Sequence, residues 1–254
     1  MTDWLPFVLL LAGSAWAGAQ NQLAGGGSFI TLPALMLTGM DARAANITYT
    51  VALFPGQVTG GWMGRRHAEG TASLGLRALV AISLVGGVVG ALLLLLTPSR
   101  VFARMVPWLV LFATAAFAWG SFGRKPRSSD DPAGGLGAPA AGAIQFAISI
   151  YGGYFGGGIG FLMLAALALS HVPVRAAAAT KNVLAGVMNL TAVLVFLFSG
   201  QVRWLAMAIA CIGALAGSYL GAHLLTRVDE KLLRVIVILI GVALTIGLFW
   251  RAYV

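Results

Sequence analysis

The sequence predicts an all-α integral membrane protein made of two homologous repeats, inverted relative to each other. Each repeat reads as a glycine-broken first helix or hairpin followed by three transmembrane helices. Three observations carry this reading. Hydrophobic residues make up 59% of the 254 and charged residues 9%, with mean hydropathy +0.93, whereas a typical soluble domain is about 25% charged. Eight apolar stretches recur, each long enough to cross a bilayer, which takes roughly 20 residues. Two glycine triplets, Gly25, Gly26, Gly27 and Gly156, Gly157, Gly158, lie 131 positions apart, close to half the chain.

The apolar stretches run over 4–37, 45–64, 73–96, 106–122, 140–170, 176–199, 204–225 and 232–250. The first resembles a signal peptide only loosely: its leading residues carry Asp3 and no Lys or Arg, and a secretory signal starts with positive charge. It is expected to remain as the first element. The segment 123–139 is the only extended polar stretch and is rich in Gly, Pro and Ser, so it reads as a flexible linker. Residues 1–122 then form the first repeat and 140–254 the second. The offset of 131 also recovers Gly86/Gly217, Gly90/Gly221, Ala91/Ala222, Leu93/Leu224 and Trp119/Trp250, while Arg43/Arg175, Ala44/Ala176, Ala45/Ala177 and Thr48/Thr180 fit at 132. Trp4, Trp62, Trp108, Trp119, Trp204 and Trp250 fall near stretch ends, as an interfacial aromatic belt requires. Cys211 is the only cysteine and reads as a small packing residue.

The orientation of the repeats turns on the first stretch of each. A continuous helix over 4–37 would be about 50 Å long at 1.5 Å per residue, against a hydrocarbon core of about 30 Å. Split near residues 20–27, it gives two helices of about half a span, a hairpin that enters and leaves on one side. Each repeat then has an odd number of full crossings, which inverts the second against the first. Charge agrees. The hairpin threading gathers Arg65, Arg66, Arg124, Lys125, Arg127, Arg175, Arg227, Lys231 and Arg234 on one side. It leaves Arg43, Arg100, Arg104, Arg203 and Arg251 on the other, a positive-inside bias that puts both termini outside the cytoplasm. The formal charge of +9 therefore reads as topology and lipid-headgroup contact rather than nucleic-acid binding.

All seven acidic residues fall in termini or loops, where they cannot serve as the intramembrane carboxylates that cation carriers and proton relays commonly use. Any proton coupling would need another group or would travel on the substrate. Polar residues inside the apolar stretches gather beside the glycine breaks. From the first half these are Gln20, Asn21, Gln22, Asn46, Thr48, Thr50 and Gln57, and from the second Tyr151, Tyr154, Thr180, Lys181, Asn182 and Asn189. Glycine allows positive φ and close backbone approach, and a helix that restarts after it presents free N–H groups and a positive dipole end. Two such ends converging suit an anion. Asn21, Gln22, Gly25, Gly26, Gly27, Asn46, Thr48, Gln57, Tyr154, Gly156, Gly157, Gly158, Thr180, Lys181 and Asn182 are the expected substrate-binding set, with no metal or cofactor.

Two readings of Lys181 stay open: a lysine snorkelling from the first turn of its helix, or a cation facing the cavity. Its first-half counterpart is Tyr49. Gln20–Gln22 could equally cap broken helix ends. His223 reads as a hydrogen-bonded packing residue, His67 and His171 as loop residues, and Pro55 as a kink. Gly86, Gly87, Gly90, Gly213, Gly217 and Gly221 read as helix-packing faces.

The stretch Ala24-Gly25-Gly26-Gly27-Ser28-Phe29-Ile30-Thr31-Leu32-Pro33, followed by Arg43-Ala44-Ala45-Asn46-Ile47-Thr48, resembles the sulfite exporter TauE/SafE family, also called the 4-toluene sulfonate uptake permeases. The second half matches with Tyr154-Phe155-Gly156-Gly157-Gly158-Ile159-Gly160, then Val172-Pro173-Val174-Arg175-Ala176 and Thr180-Lys181-Asn182. Position 164 is Leu164, with no proline to match Pro33. The resemblance implies secondary transport of sulfur-containing anions, such as sulfite, sulfoacetate or other organosulfonates, across the bacterial inner membrane. An anion channel, or a carrier of a non-sulfur organic anion, is the alternative. An enzyme is not expected.

Overall fold

The computed structural model describes residues 4–23, 27–122, 136–224 and 230–253. Gly25, Gly26 and most of the expected linker lie outside them, as do the side chains of Gln22 and His223. Among the described residues the chain forms ten α-helices, one 3-10 turn and no strand. The helices are α1 (Leu5–Leu23), α2 (Ser28–Leu37), α3 (Ala42–Gly64), α4 (Leu76–Leu96), α5 (Ser99–Phe122), α6 (Ala138–Tyr154), α7 (Ile159–Leu169), α8 (Val174–Leu197), α9 (Trp204–Leu224) and α10 (Glu230–Tyr253). Four stretches are long and apolar enough to cross a membrane: α4, α8, Ser99–Gly120 of α5 and Arg234–Tyr253 of α10.

Both long first stretches are broken where the glycines lie. α1 ends at Leu23 and α2 begins at Ser28, while α6 ends at Tyr154 and α7 begins at Ile159. At the second break Gly156 and Gly158 both take φ +76°, a left-handed conformation that costs a residue with a Cβ about 1–2 kcal/mol. The arms are unequal, which differs from the expected half-spans. α1 has 19 residues, about 28 Å, and α2 has 10, about 15 Å. The break follows the polar and glycine residues of 20–27 and not the midpoint of the stretch.

Local chemistry sets the other boundaries. Asp41 caps α3 by accepting from the N–H groups of Arg43 (3.0 Å) and Ala44 (3.2 Å). The Arg43 guanidinium reaches across to the end of α4, donating to the carbonyls of Leu95 (3.2 Å) and Thr97 (2.7 Å) and satisfying acceptors that a helix end leaves free. Pro55 lies within α3, where it cannot donate to the carbonyl four residues back. α7 closes with His171 at φ +58° and Val172 donating back to Leu167 (3.0 Å), a Schellman ending.

Most of the helix pairing maps onto itself when α1–α5 are exchanged for α6–α10; the packing of α3 on α5 has no such counterpart among the described residues. α1 packs on α9 as α6 packs on α4; α3 on α9 as α8 on α4; α2 on α10 as α7 on α5. The remaining major pairs, α3 with α8 and α5 with α10, are their own counterparts. α3 and α8 run antiparallel: Gly64 lies against Ala179, Gly61 against Asn182, and Gln57 meets Asn189. α5 and α10 are antiparallel too, with Trp108 beside Phe249 and Thr114 beside Gly241. α1 and α9 run parallel, as do α4 and α6.

Small residues allow these approaches. A Cβ on Gly18 would overlap the Ala214 carbonyl and one on Gly217 that of Ala15, both where α1 meets α9. Gly86 and Gly90 do the same service for α4 against α6, and Gly87 for α4 against α8. The packing role expected of Gly86, Gly87, Gly90, Gly213 and Gly217 is met; Gly221 lies among residues whose packing is not described.

Candidate functional site

A cavity of about 160 Å³ lies beside the crossing of α3 and α8 and touches both helix breaks. At about 10–15 Å³ of such space per water it has room for on the order of ten waters. α3 lines it with Tyr49, Thr50 and Gln57, and α8 with Lys181, Asn182 and Asn189. Asn21 and Ser28 face it from the first break, Gly156, Gly158, Ile159 and Gly160 from the second, and Ser218 from α9. Most of these pair by the repeat offset: Tyr49 with Lys181, Thr50 with Asn182, Gln57 with Asn189, and Ser28 with Ile159. Asn189 donates to the Gln57 side chain at 2.6 Å, across 132 positions. The self-matched pair thus joins the two halves at the cavity wall.

Lys181 sits seven residues after Val174, where α8 starts, about 10 Å along the helix axis. It is therefore two turns inside the helix and not in the first turn. The helix begins earlier than hydropathy suggests because Pro173, with its fixed φ, stands at the N-cap and Arg175 masks the start of the apolar run. The stem of Lys181 lies over the first turn of α7: a Cβ on Gly160 would sit 3.4 Å from its Cδ and 3.9 Å from its Nζ. No carboxylate lines the cavity among the described residues, and among them Lys181 has no hydrogen-bond or ion-pair partner. Nor do the described residues hold a cluster of three His, Cys, Asp or Glu side chains able to bind a metal.

The second break is pinned from three sides. Asn46 Nδ2 donates to the Tyr154 carbonyl at 3.1 Å, the Tyr49 hydroxyl to that of Phe155, and the Tyr151 hydroxyl to that of Gly157 at 2.8 Å. Ile159 and Gly160, at the start of α7, have N–H groups without an acceptor among the described residues, as the first turn of a helix does. At the first break Asn21 Oδ1 accepts from Gly27 N–H at 2.8 Å, and α2 starts from there.

The structure thus brings Asn21, Gln57, Gly156, Gly158, Lys181 and Asn182 of the expected set to one cavity. It places others elsewhere. Asn46 is 1% exposed and spent on Tyr154. Thr180 is fully buried, its hydroxyl donating to the Glu69 carbonyl and accepting from Glu69 N–H, both at 2.8 Å. Thr48 is also fully buried and accepts from Arg203 N–H at 3.2 Å. Each threonine ties its helix to the loop that enters the next element of the other half. The Tyr154 hydroxyl points to Thr97 Oγ1 (3.3 Å) and Met105 Sδ (3.5 Å). Gly27 and Gly157 support the breaks without lining the cavity. Gly25, Gly26 and the Gln22 side chain fall outside the described residues. Tyr49, Thr50, Ser28, Asn189 and Ser218 line it and were not in the expected set. Adding or subtracting 132 from Lys181, Asn182 and Gln57 would have found three of them.

An all-helical bundle with several membrane-crossing helices, a polar chamber at its centre and one lysine as the chamber's charge has the build of a membrane transporter. The comparisons agree, and the chain belongs to the sulfite exporter TauE/SafE family, whose family model, described as "Sulfite exporter TauE/SafE", matches residues 9–248. Among similar proteins, a "probable membrane transporter protein" of a Sinorhizobium species is 30% identical over 237 residues, covering 91% of this chain and 88% of that one. One of Haemophilus influenzae is 30% identical over 234 residues, 89% of this chain and 87% of that one. The "probable membrane transporter protein YfcA" of Escherichia coli K12 is 26% identical over 239 residues, 93% and 87%. No solved structure matches the chain.

Proposed function

We propose that this transporter is a secondary carrier of small sulfur-containing anions, such as sulfite, sulfoacetate or other organosulfonates, in the bacterial inner membrane. Two inverted repeats, 1–122 and 140–254, joined by a linker over 123–139, would expose the cavity to alternate sides. The observation that carries the anion reading is Lys181: an ammonium two turns inside a helix, beside the free N–H groups at the start of α7, with no carboxylate in the cavity wall among the described residues. A charge in a membrane interior is costly unless paired, and an anionic solute supplies the pairing. The family resemblance supports the choice of sulfur oxyanions.

The antiparallel run of α3 against α8 and of α5 against α10 supports inversion, because equivalent elements of the two halves then cross the membrane in opposite senses. Arg65, Arg66, Arg77 and Arg175 share the membrane end at which α8 begins, and the positive-inside tendency makes that end cytoplasmic. Both termini fall on the other side.

The test is sulfite uptake into proteoliposomes, with thiosulfate, taurine, sulfoacetate and carboxylates as competitors. Lys181→Ala removes a charge-assisted contact worth about 1.5–3 kcal/mol, so kcat/KM should fall about 10- to 150-fold with expression unchanged. Unchanged uptake removes Lys181 from the site. Counterflow, in which external sulfite speeds exit of labelled sulfite, is expected of a carrier, and its absence favours a channel. Stronger competition by carboxylates than by sulfonates overturns the sulfur assignment.

A further inference from the structure

The chamber in which Lys181 stands also contains a chain crossover, and a crossover can present either sign of charge. Residues 155–158 join α6 to α7, and such a segment exposes carbonyl oxygens as readily as N–H groups. Unwound carbonyls beside a midplane cavity are what bind cations in transporters with broken helices. Here three at the crossover are occupied. The carbonyls of Tyr154, Phe155 and Gly157 each receive a side-chain donor, from Asn46, Tyr49 and Tyr151 respectively. Asn46 and Tyr49 come from α3 in the first half, over a hundred positions away in sequence, so no local turn rule requires them. All three donors are largely or fully buried against the break. Gly156 and Gly158, at φ +76°, line the cavity together with Ile159 and Gly160, whose N–H groups have no acceptor among the described residues. At the first break the Gly27 carbonyl is taken by α2's own first turn, by Ile30 and Thr31 N–H at 3.1 Å each, as its counterpart Gly158 is by Phe161 N–H at 3.1 Å.

We infer that Asn46, Tyr49 and Tyr151 are positioning residues that bias the site toward anions, by engaging three carbonyl oxygens at the crossover and holding them off the solute. The inference rests on the anion-carrier reading. Lys181 supplies attraction; the three donors engage three of the competing acceptors. Tyr49 has a double place in this scheme, since it lines the cavity and is the repeat counterpart of Lys181. One half contributes a cation there, and the other a hydroxyl that neutralises the opposite wall.

Tyr49→Phe and Tyr151→Phe each delete one hydroxyl and keep the ring, so they separate the donor from the packing. The probe is sulfite uptake into proteoliposomes, with KM and kcat measured separately, and with uptake of methylammonium as the cation arm. Each variant should raise the sulfite KM about fivefold or more with kcat within twofold, as one unsatisfied acceptor turns toward the anion. The double variant should raise it further and admit methylammonium above the rate of protein-free vesicles. If a variant melts lower and loses kcat with KM unchanged, the hydroxyls are structural and the inference falls. Unaltered KM in both variants, with Lys181→Ala strongly impaired, overturns the inference and leaves the anion reading standing. No effect of Lys181→Ala overturns the anion reading itself.

Discussion

Thr180 offers a direct test of whether a buried polar residue belongs to the solute or to the scaffold. It sits beside Lys181 in sequence, yet its hydroxyl is consumed by the backbone of Glu69, donating and accepting at 2.8 Å. Thr180→Val keeps the volume and the β-branch and deletes both bonds. A net hydrogen bond is worth about 1 kcal/mol, and Glu69 is exposed, so water regains part of the loss. The pair should therefore cost about 1–2 kcal/mol. At about 2–4 °C per kcal/mol for a chain of this size, the midpoint of tryptophan-fluorescence melting in detergent should drop by about 2–8 °C. Thr48→Val breaks a single, longer bond to Arg203 N–H (3.2 Å) and should shift melting by about half as much. In proteoliposomes neither variant should change the sulfite KM by more than about twofold. A large rise in KM for Thr180→Val with unchanged melting would place its hydroxyl on the solute and refute its role in tying α8 to the Glu69 loop.

Three further substitutions probe the same architecture. Gly56→Leu and Gly87→Leu should part company: a Cβ at Gly87 meets the Met188 carbonyl and Thr191 Oγ1, whereas at Gly56 the nearest atom is Ser218 Oγ, 3.9 Å away. Gly87→Leu should cut the yield of folded protein severely in size-exclusion profiles, and Gly56→Leu should fold normally but lose sulfite binding, because its side chain fills the cavity. Arg43→Met removes both guanidinium bonds at the end of α4 and should lower melting by about 4–8 °C, corresponding to about 2 kcal/mol, with transport per folded molecule retained.

The sequence made the elements legible because their signals are local. Apolar runs and glycine triplets each act over a few residues, and they locate the elements and the two breaks, although α5 starts at Ser99, ahead of the apolar run over 106–122. The break sites also followed from glycine chemistry. What was not legible is partnering at long range. Thr48, Asn46 and Thr180 look like site residues in a sequence, since a polar side chain in an apolar helix needs a reason. Their reasons are backbone atoms 155, 108 and 111 positions away, which no periodicity encodes. Tyr49 was hidden by the opposite effect, because an aromatic residue in a membrane helix raises no question until its hydroxyl is placed on the second break. The depth of Lys181 was obscured by Arg175, whose polarity made α8 look as if it began later than it does.

The departure of the cavity from repeat symmetry has a physical consequence for the carrier reading. Exchange of the halves turns Gly87 into Ser218 and Met188 into Gly56. If the molecule were symmetric, α4 against α8 and α9 against α3 would be packed alike. They are not: α4 seats Gly87 hard on the Met188 and Thr191 region of α8, whereas Ser218 of α9 stands off Gly56 of α3 with the cavity between. On the inverted-repeat reading, one side is closed and the other open. An alternating carrier built from inverted repeats needs two states of this kind, with the open and closed sides exchanged. The residues at the open side suit that exchange, since Gly56 has no side chain to oppose an approach by α9 and Ser218 is small. At the closed side, Met188 is a flexible side chain able to repack as α4 withdraws. The Gln57–Asn189 bond joins two positions that are each other's repeat counterparts, so on the proposed carrier reading it is the contact expected to persist in both states.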